Sequence, residues 1–173
     1  TGEPFARFFM EGEHLLVNGE KMSKSLGNIF TLRDFEERKI HPLAFRYLAL
    51  MSHYRSKLNF TWDSVESAQR SLEKLYDAVR SLKAQNSQFV TLKKKLTYTG
   101  YQKKFAIALA DDLNTPRALA VVWDIIRAYH KTPERYNAQE FLEYLYDVDC
   151  IFGFGFAAIE PDTIPPMILE LAK

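Results

Sequence analysis

The chain has a single cysteine, Cys150, so no internal disulfide can form, and a lone thiol suits a reducing compartment. No apolar run approaches the ~20 residues that span a bilayer, so no membrane partner is expected. Neither end has the layout of a secretory signal, and a cytoplasmic location is the expectation. Charge of neither sign is in excess: 23 Lys and Arg against 22 Asp and Glu leave a formal net charge of +1. Whole-molecule electrostatics therefore carries no nucleic-acid signature, and any such contact has to come from a local patch. Internal repeats and low-complexity segments are absent, and no initiator methionine precedes Thr1-Gly2-Glu3-Pro4. That start predicts a piece of a longer protein. What the 173 residues do contain is ordinary for a folded protein, 47% hydrophobic and 26% charged, enough for one good core or two small ones.

The periodicity is mostly helical. Before it, Pro4 is placed to open a short helix carrying Phe5, Phe8 and Phe9. His14-Leu15-Leu16-Val17 then reads as a short buried strand, and Asn18-Gly19 as a tight turn. A polar loop follows from Glu20 to Asn28, with Gly27 free to take an unusual backbone angle. Thr31 with Asp34 three residues on predicts a capped helix to about Lys39. Pro42 opens the next, Leu43 to about His53, with Phe45, Leu48 and Ala49 on one side. Thr61-Trp62-Asp63 starts the longest helix, 61–86, whose Val65, Ala68, Leu72, Leu75, Val79 and Leu82 make a narrow seam. Further helices are expected from about Tyr101 to Asp111, from Thr115-Pro116 through Leu119, Val122, Ile126 and Tyr129, and over 138–152 with Phe141, Leu145, Val148 and Phe152. Four seamed helices with short links predict a bundle that Gly153-Phe154-Gly155 ends. Glu160 to Pro166 reads as a linker, and Met167 to Lys173 as the first turns of another helix.

Lys21-Met22-Ser23-Lys24-Ser25 is the densest chemistry in the chain. Two lysines provide mobile point charges, two serines provide hydroxyl donors, and backbone amides near Gly27 add more. That set suits a polyphosphate, above all charge building on a leaving pyrophosphate. On composition alone, a solvated turn with two surface lysines is the favoured reading. It is not a Walker A loop, since GxxxxGK[ST] is missing.

The exact string resembles the KMSKS motif of class I aminoacyl-tRNA synthetases at every position, and Leu26-Gly27-Asn28 extends the match. The flanks resemble the cysteinyl-tRNA synthetase family: His14 to Glu20 before the loop, Asn28-Ile29-Phe30-Thr31-Leu32-Arg33-Asp34 after it, His53 to Phe60, and Asp111-Asp112-Leu113-Asn114-Thr115-Pro116. The resemblance covers roughly residues 1 to 152. It implies a mainly α chain: a short α/β remnant of the class I catalytic domain (1–30), a connecting helical segment (31–60), a four-helix-type bundle facing the tRNA anticodon stem (61–155), and a linker into a truncated C-terminal domain (156–173). It implies ATP as substrate, held by Lys21, Met22, Ser23, Lys24 and Ser25. Lys24 is then the main phosphate contact and Lys21 an auxiliary one, both catalytic, while the serines shape the loop. It implies cysteine and tRNA(Cys) as partners of the intact enzyme, in two steps: cysteine attacks the ATP α-phosphate, and the tRNA terminal adenosine then takes the cysteinyl group. A zinc ion and a HIGH-type motif belong to upstream segments of that family that this chain lacks. The isolated piece is therefore expected to be inactive, and monomeric.

Other residues stay open between two readings. Arg55 either contacts the tRNA inner corner or braces its own junction, and bracing is favoured. Lys93, Lys94 and Lys95, with Lys103 and Lys104 and the interleaved Tyr98 and Tyr101, form the one dense basic cluster, fit for tRNA phosphates or for a solvated face. Asp111 and Asp112 could pass for an acid–base pair but read as helix termination. Cys150 reads as a buried structural thiol. His14, His41, His53 and His130 lack metal-ligand spacing, and no metal site is expected. Two alternatives stand beside the synthetase reading: a related ligase that joins cysteine to an amino-inositol glycoside, and a non-catalytic helical module that binds tRNA or protein.

Overall fold

The computed structural model describes residues 2, 5–86 and 98–161. The chain divides into two units, Thr1–Gln69 and Arg70–Lys173, with the boundary inside its longest helix.

In the first unit, β1 (Leu15–Val17) is the middle strand of a three-stranded sheet. It pairs antiparallel with β2 (Glu20–Lys21) and parallel with β3 (Leu58–Phe60), with Val17 opposite Phe60. Asn18 and Gly19 join β1 to β2 with φ of 51° and 83°, the left-handed pair that a two-residue hairpin turn demands. A parallel pair needs a long crossover. Here α1 (Leu32–Glu37) and α2 (Leu43–Leu50) lie in that crossover.

The core of this unit is aromatic. Phe60 lies 5.2 Å from Phe30, 6.0 Å from Phe35 and Phe45, and 5.1 Å from Trp62, ring centre to ring centre. Arg38 covers the open face of Trp62 at 4.2 Å. Edge-on and offset ring contacts of this kind add about 0.5–1.5 kcal/mol each beyond the area they bury.

Several expectations are corrected here. No helix carries Phe5, Phe8 and Phe9; the rings are 99%, 91% and 76% exposed. A single helical turn without a packing surface does not repay its nucleation cost. Helix α1 stops at Glu37 rather than near Lys39, which takes φ 57°. Helix α2 stops at Leu50 rather than near His53, because the 53–56 backbone turns on itself: the Arg55 N–H donates to His53 Nδ1 and the Ser56 N–H to His53 O. Its buried face is Ala44, Tyr47 and Leu48, with Phe45 and Ala49 only half-buried.

Helix α3 (Trp62–Asn86) starts from a reciprocal cap in which Thr61 and Ser64 exchange side-chain-to-backbone hydrogen bonds of 3.1 Å. All six seam residues from Val65 to Leu82 are buried, as the 3–4 spacing requires. Beyond it the second unit holds α4 (Thr99–Ala110), α5 (Thr115–Lys131) and α6 (Ala138–Phe152). The expected stripes of α5 and α6 are all buried. Between α4 and α5, Asp111 is the C-cap residue of α4 and pairs with Arg117 at 3.2 Å, while Asn114 caps α5 by accepting the Arg117 N–H. The two aspartates thus end a helix, and the capping that follows falls to Asn114.

Gly153 ends α6 in the left-handed conformation, φ 65°. The chain then returns to the core through Phe154 and Phe156. The Asp149 carboxylate accepts both their N–H groups, at 2.6 and 2.7 Å. Tyr76 donates to Phe154 O at 2.9 Å, and Lys83 donates to Ala157 O and Ile159 O. Cys150 is exposed, not buried. It lies two residues past Val148, about 200° around the helix from the buried stripe.

Two outcomes follow. Leu75→Ala removes a side chain that is 1% exposed and is expected to cost about 2–5 kcal/mol, read from urea denaturation followed by circular dichroism. Asp34 accepts the Thr31 N–H at 2.6 Å and the Thr31 hydroxyl at 2.8 Å, which hold its carboxyl below the ordinary 3.8. A carboxyl with a depressed folded-state value stabilises the fold above its unfolded value and loses that contribution as pH falls through the folded one. The stability gap between the wild type and Asp34→Ala is therefore expected to be full well above pH 3.8 and to shrink as pH drops below it. An acid titration of thermal unfolding checks this.

Candidate functional site

The loop from Lys21 to Asn28 is braced by one side chain. The Ser23 N–H donates to Asn28 Oδ1 at 2.8 Å, and Asn28 Nδ2 donates to Lys21 O at 3.2 Å. The carboxamide thus spans the base of the loop. Inside it, the Leu26 N–H donates to Ser23 Oγ at 3.3 Å, and the Ser23 and Ser25 hydroxyls share a hydrogen bond of 3.2 Å. The Gly27 N–H donates to Lys24 O at 3.2 Å, and Gly27 takes φ 63°. A side chain there is strained, which is why glycine suits the position.

Two further anchors hold the ends. On the entry side, Asn59 of β3 accepts the Gly19 N–H at 2.8 Å, and the Asn18 N–H donates to Phe60 O at 3.0 Å. On the exit side, Phe30 packs against both Phe60 and Trp62, at 5.2 and 5.1 Å. Lys21 is the last residue of β2, so the loop proper begins at Met22 rather than Glu20.

This scaffold presents the lysines outward. Lys21, Lys24 and Ser25 are exposed, while Met22, Ser23 and Asn28 are half-buried. Among the described residues neither ammonium meets a carboxylate. Two like charges close in sequence, without a counterion among the described residues, favour a multivalent anion brought from outside. Ser23 spends its hydroxyl inside the loop, and Ser25 partly so, which makes them shape-holding groups more than free donors.

The other named residues are spread across both units. Arg55 is exposed in the first, its guanidinium 5.0 Å from the centre of the Tyr54 ring, which itself stacks on His53 at 4.9 Å. The Tyr54 carbonyl accepts the Glu13 N–H at 2.8 Å, tying this turn to the segment just ahead of β1. Lys103 and Lys104 are exposed on α4 in the second unit, with Lys104 Nζ 5.5 Å from the Tyr101 ring centre. Lys93, Lys94 and Lys95 lie outside the described residues. Tyr98 is core: it stacks on Tyr136 and Phe141, donates to Asn137 O at 3.0 Å, and burial pushes its hydroxyl far above the usual tyrosine range. Among the described residues no cluster of three or more His, Cys, Asp or Glu side chains can hold a metal. The zinc implied by the resemblance therefore finds no ligand set there. No described helix is long and apolar enough to cross a membrane.

Pattern reading assigned no bracing role to Asn28 or Asn59, the side chains that hold the base and the entry of the loop. Asparagine beside a turn glycine is a known backbone-bonding residue, and that signal was available for Asn28. Asn59 carried none, since its partner is 40 positions away.

Residues 1–70 match the family described as tRNA synthetases class I (C) catalytic domain, and residues 104–157 the DALR domain. The cysteine–tRNA ligase of Chlamydia felis is 34% identical over 99% of this chain and 37% of its own length. That of Caldicellulosiruptor saccharolyticus is 36% identical over 100% of the chain and 39% of its own. That of Chlamydia abortus is 37% identical over 84% of the chain and 31% of its own. The chain thus spans about a third of the length of the curated relatives it matches.

Proposed function

We propose, for a chain that belongs to the cysteinyl-tRNA synthetase family of class I aminoacyl-tRNA synthetases, that Lys21 to Ser25 is the loop that meets the phosphates of ATP. One observation carries the reading: two exposed lysines with no carboxylate partner among the described residues stand on a braced loop, inside the segment that matches a class I catalytic domain.

In the full-length protein the reaction runs in two steps. The cysteine carboxylate attacks the ATP α-phosphorus, the bond to the bridging oxygen breaks, and pyrophosphate leaves as cysteinyl-adenylate forms. A ribose hydroxyl of the tRNA terminal adenosine then attacks the cysteinyl carbonyl and releases AMP. The loop serves the first step. As the bond breaks, negative charge grows on the departing phosphates, and Lys24, at the loop tip, offsets it most when that charge is greatest. Lys21, at the strand end, adds a second positive charge from the base. Charge-stabilising groups placed where charge develops each contribute several kcal/mol.

The second unit supplies the tRNA side. Lys103 and Lys104, exposed on α4, contact backbone phosphates in a salt-dependent way without reading bases. Arg55 braces its own turn through Tyr54.

Lys24→Ala in the full-length protein is expected to slow cysteine-dependent ATP–pyrophosphate exchange by about 100-fold while leaving cysteine affinity unchanged. Exchange at the wild-type rate would sink the assignment.

A further inference from the structure

We propose that Asn28 is a positioning residue for this loop, acting through Lys24. The inference rests on the reading of Lys21 to Ser25 as the ATP-phosphate loop.

The eight residues from Lys21 to Asn28 are mostly exposed and have to be kept in one shape. Polar loops of this length have many conformations of similar energy, and two neighbouring ammonium groups push each other apart. The hydrogen bonds within Met22 to Gly27 are local, joining residues only two or three positions apart. Among the described residues, Asn28 is the side chain that joins the strand end to the loop interior. Its oxygen takes the Ser23 N–H at 2.8 Å and its nitrogen gives to Lys21 O at 3.2 Å. Both contacts are to backbone, so the carboxamide fixes the path of the chain between the two lysines whatever their side chains do.

The anchoring makes this bond the deciding one. Asn59 and Gly19 lock the entry, and the ring cluster locks Phe30 at the exit. Between those fixed points the carboxamide is the one side chain among the described residues that spans the loop base. With it, Lys24 departs from a defined position. Without it, the same lysine is present but spread over many positions, and a displacement of about 1 Å at a reacting centre costs about 100-fold in rate. An asparagine suits the task because it donates and accepts at once. An aspartate accepts only, and it would place a negative charge beside both lysines.

The test uses the full-length protein and a double-mutant cycle. Asn28→Ala is expected to lower kcat for ATP–pyrophosphate exchange about 10- to 100-fold, with the KM for cysteine and the melting temperature unchanged. In the Lys24→Ala background the same change is expected to have little further effect, because the residue through which Asn28 acts is gone. Two independent, additive losses would overturn the proposal, and so would a wild-type rate in Asn28→Ala. Asn28→Ser, too short to bridge both partners, replaces it if Asn28→Ala does not fold. The Lys24→Ala arm separates the two claims. If that arm alone keeps full exchange, the loop assignment fails; if it loses exchange while Asn28→Ala does not, only the positioning role fails.

Discussion

Val17 and Phe60 face each other across the parallel pair of β1 and β3, and the geometry of the loop is inherited from that contact. Val17 ends the strand that leads into the hairpin. Phe60 is the hub of the ring cluster that receives Phe30 from the far side of the loop. One residue pair thus fixes both where the loop leaves the sheet and where it comes back. The strands are only three residues long, too short to hold by backbone hydrogen bonding alone. Packing of large flat rings holds them, with Arg38 closing one face of the cluster.

The second unit is held differently. Its buried positions include the aliphatic residues of α3 from Leu72 to Leu82 and the stripes of α5 and α6, and close-packed interiors tolerate no gaps. At its edges, polar groups do what packing cannot. Asp149 gathers two backbone N–H groups, Tyr76 and Lys83 take the carbonyls that follow, and Asn114 satisfies the start of α5. A carboxylate that accepts two N–H groups is a strong clasp because its charge strengthens both bonds. The chain therefore keeps Phe154 and Phe156 in the core although the helix has already ended.

How much of this was legible depends on how local the signal was. The seam from Val65 to Leu82 and the stripes of α5 and α6 were readable because helical spacing imposes burial every three or four residues. The Asn18-Gly19 turn was readable because few residues accept positive φ. The order Lys21 to Ser25 marked the loop, and its flanks marked the family. What could not be read depended on partners distant in sequence or on what a face meets. Asn59 reaches Gly19 from 40 residues away. Phe5, Phe8 and Phe9 have helical spacing but no surface to bury against among the described residues. Cys150 sits in an apolar helix yet on its outer side, and periodicity counted from the wrong residue misplaces it.

Asn18-Gly19 has one more consequence, for the chemical lifetime of the protein. Asparagine followed by glycine is the dipeptide most prone to loss of its side-chain amide, because the unhindered glycine nitrogen can attack the asparagine Cγ, close a five-membered imide and expel ammonia. That closure requires the nitrogen to shed its proton and swing toward the side chain. In the folded protein this N–H is held by Asn59 at 2.8 Å, a bond that has to break before the ring can close. The contact that sets the entry to the loop also slows the ageing of the turn. Damage at Asn18 thus becomes a marker of β3 having come away from the sheet.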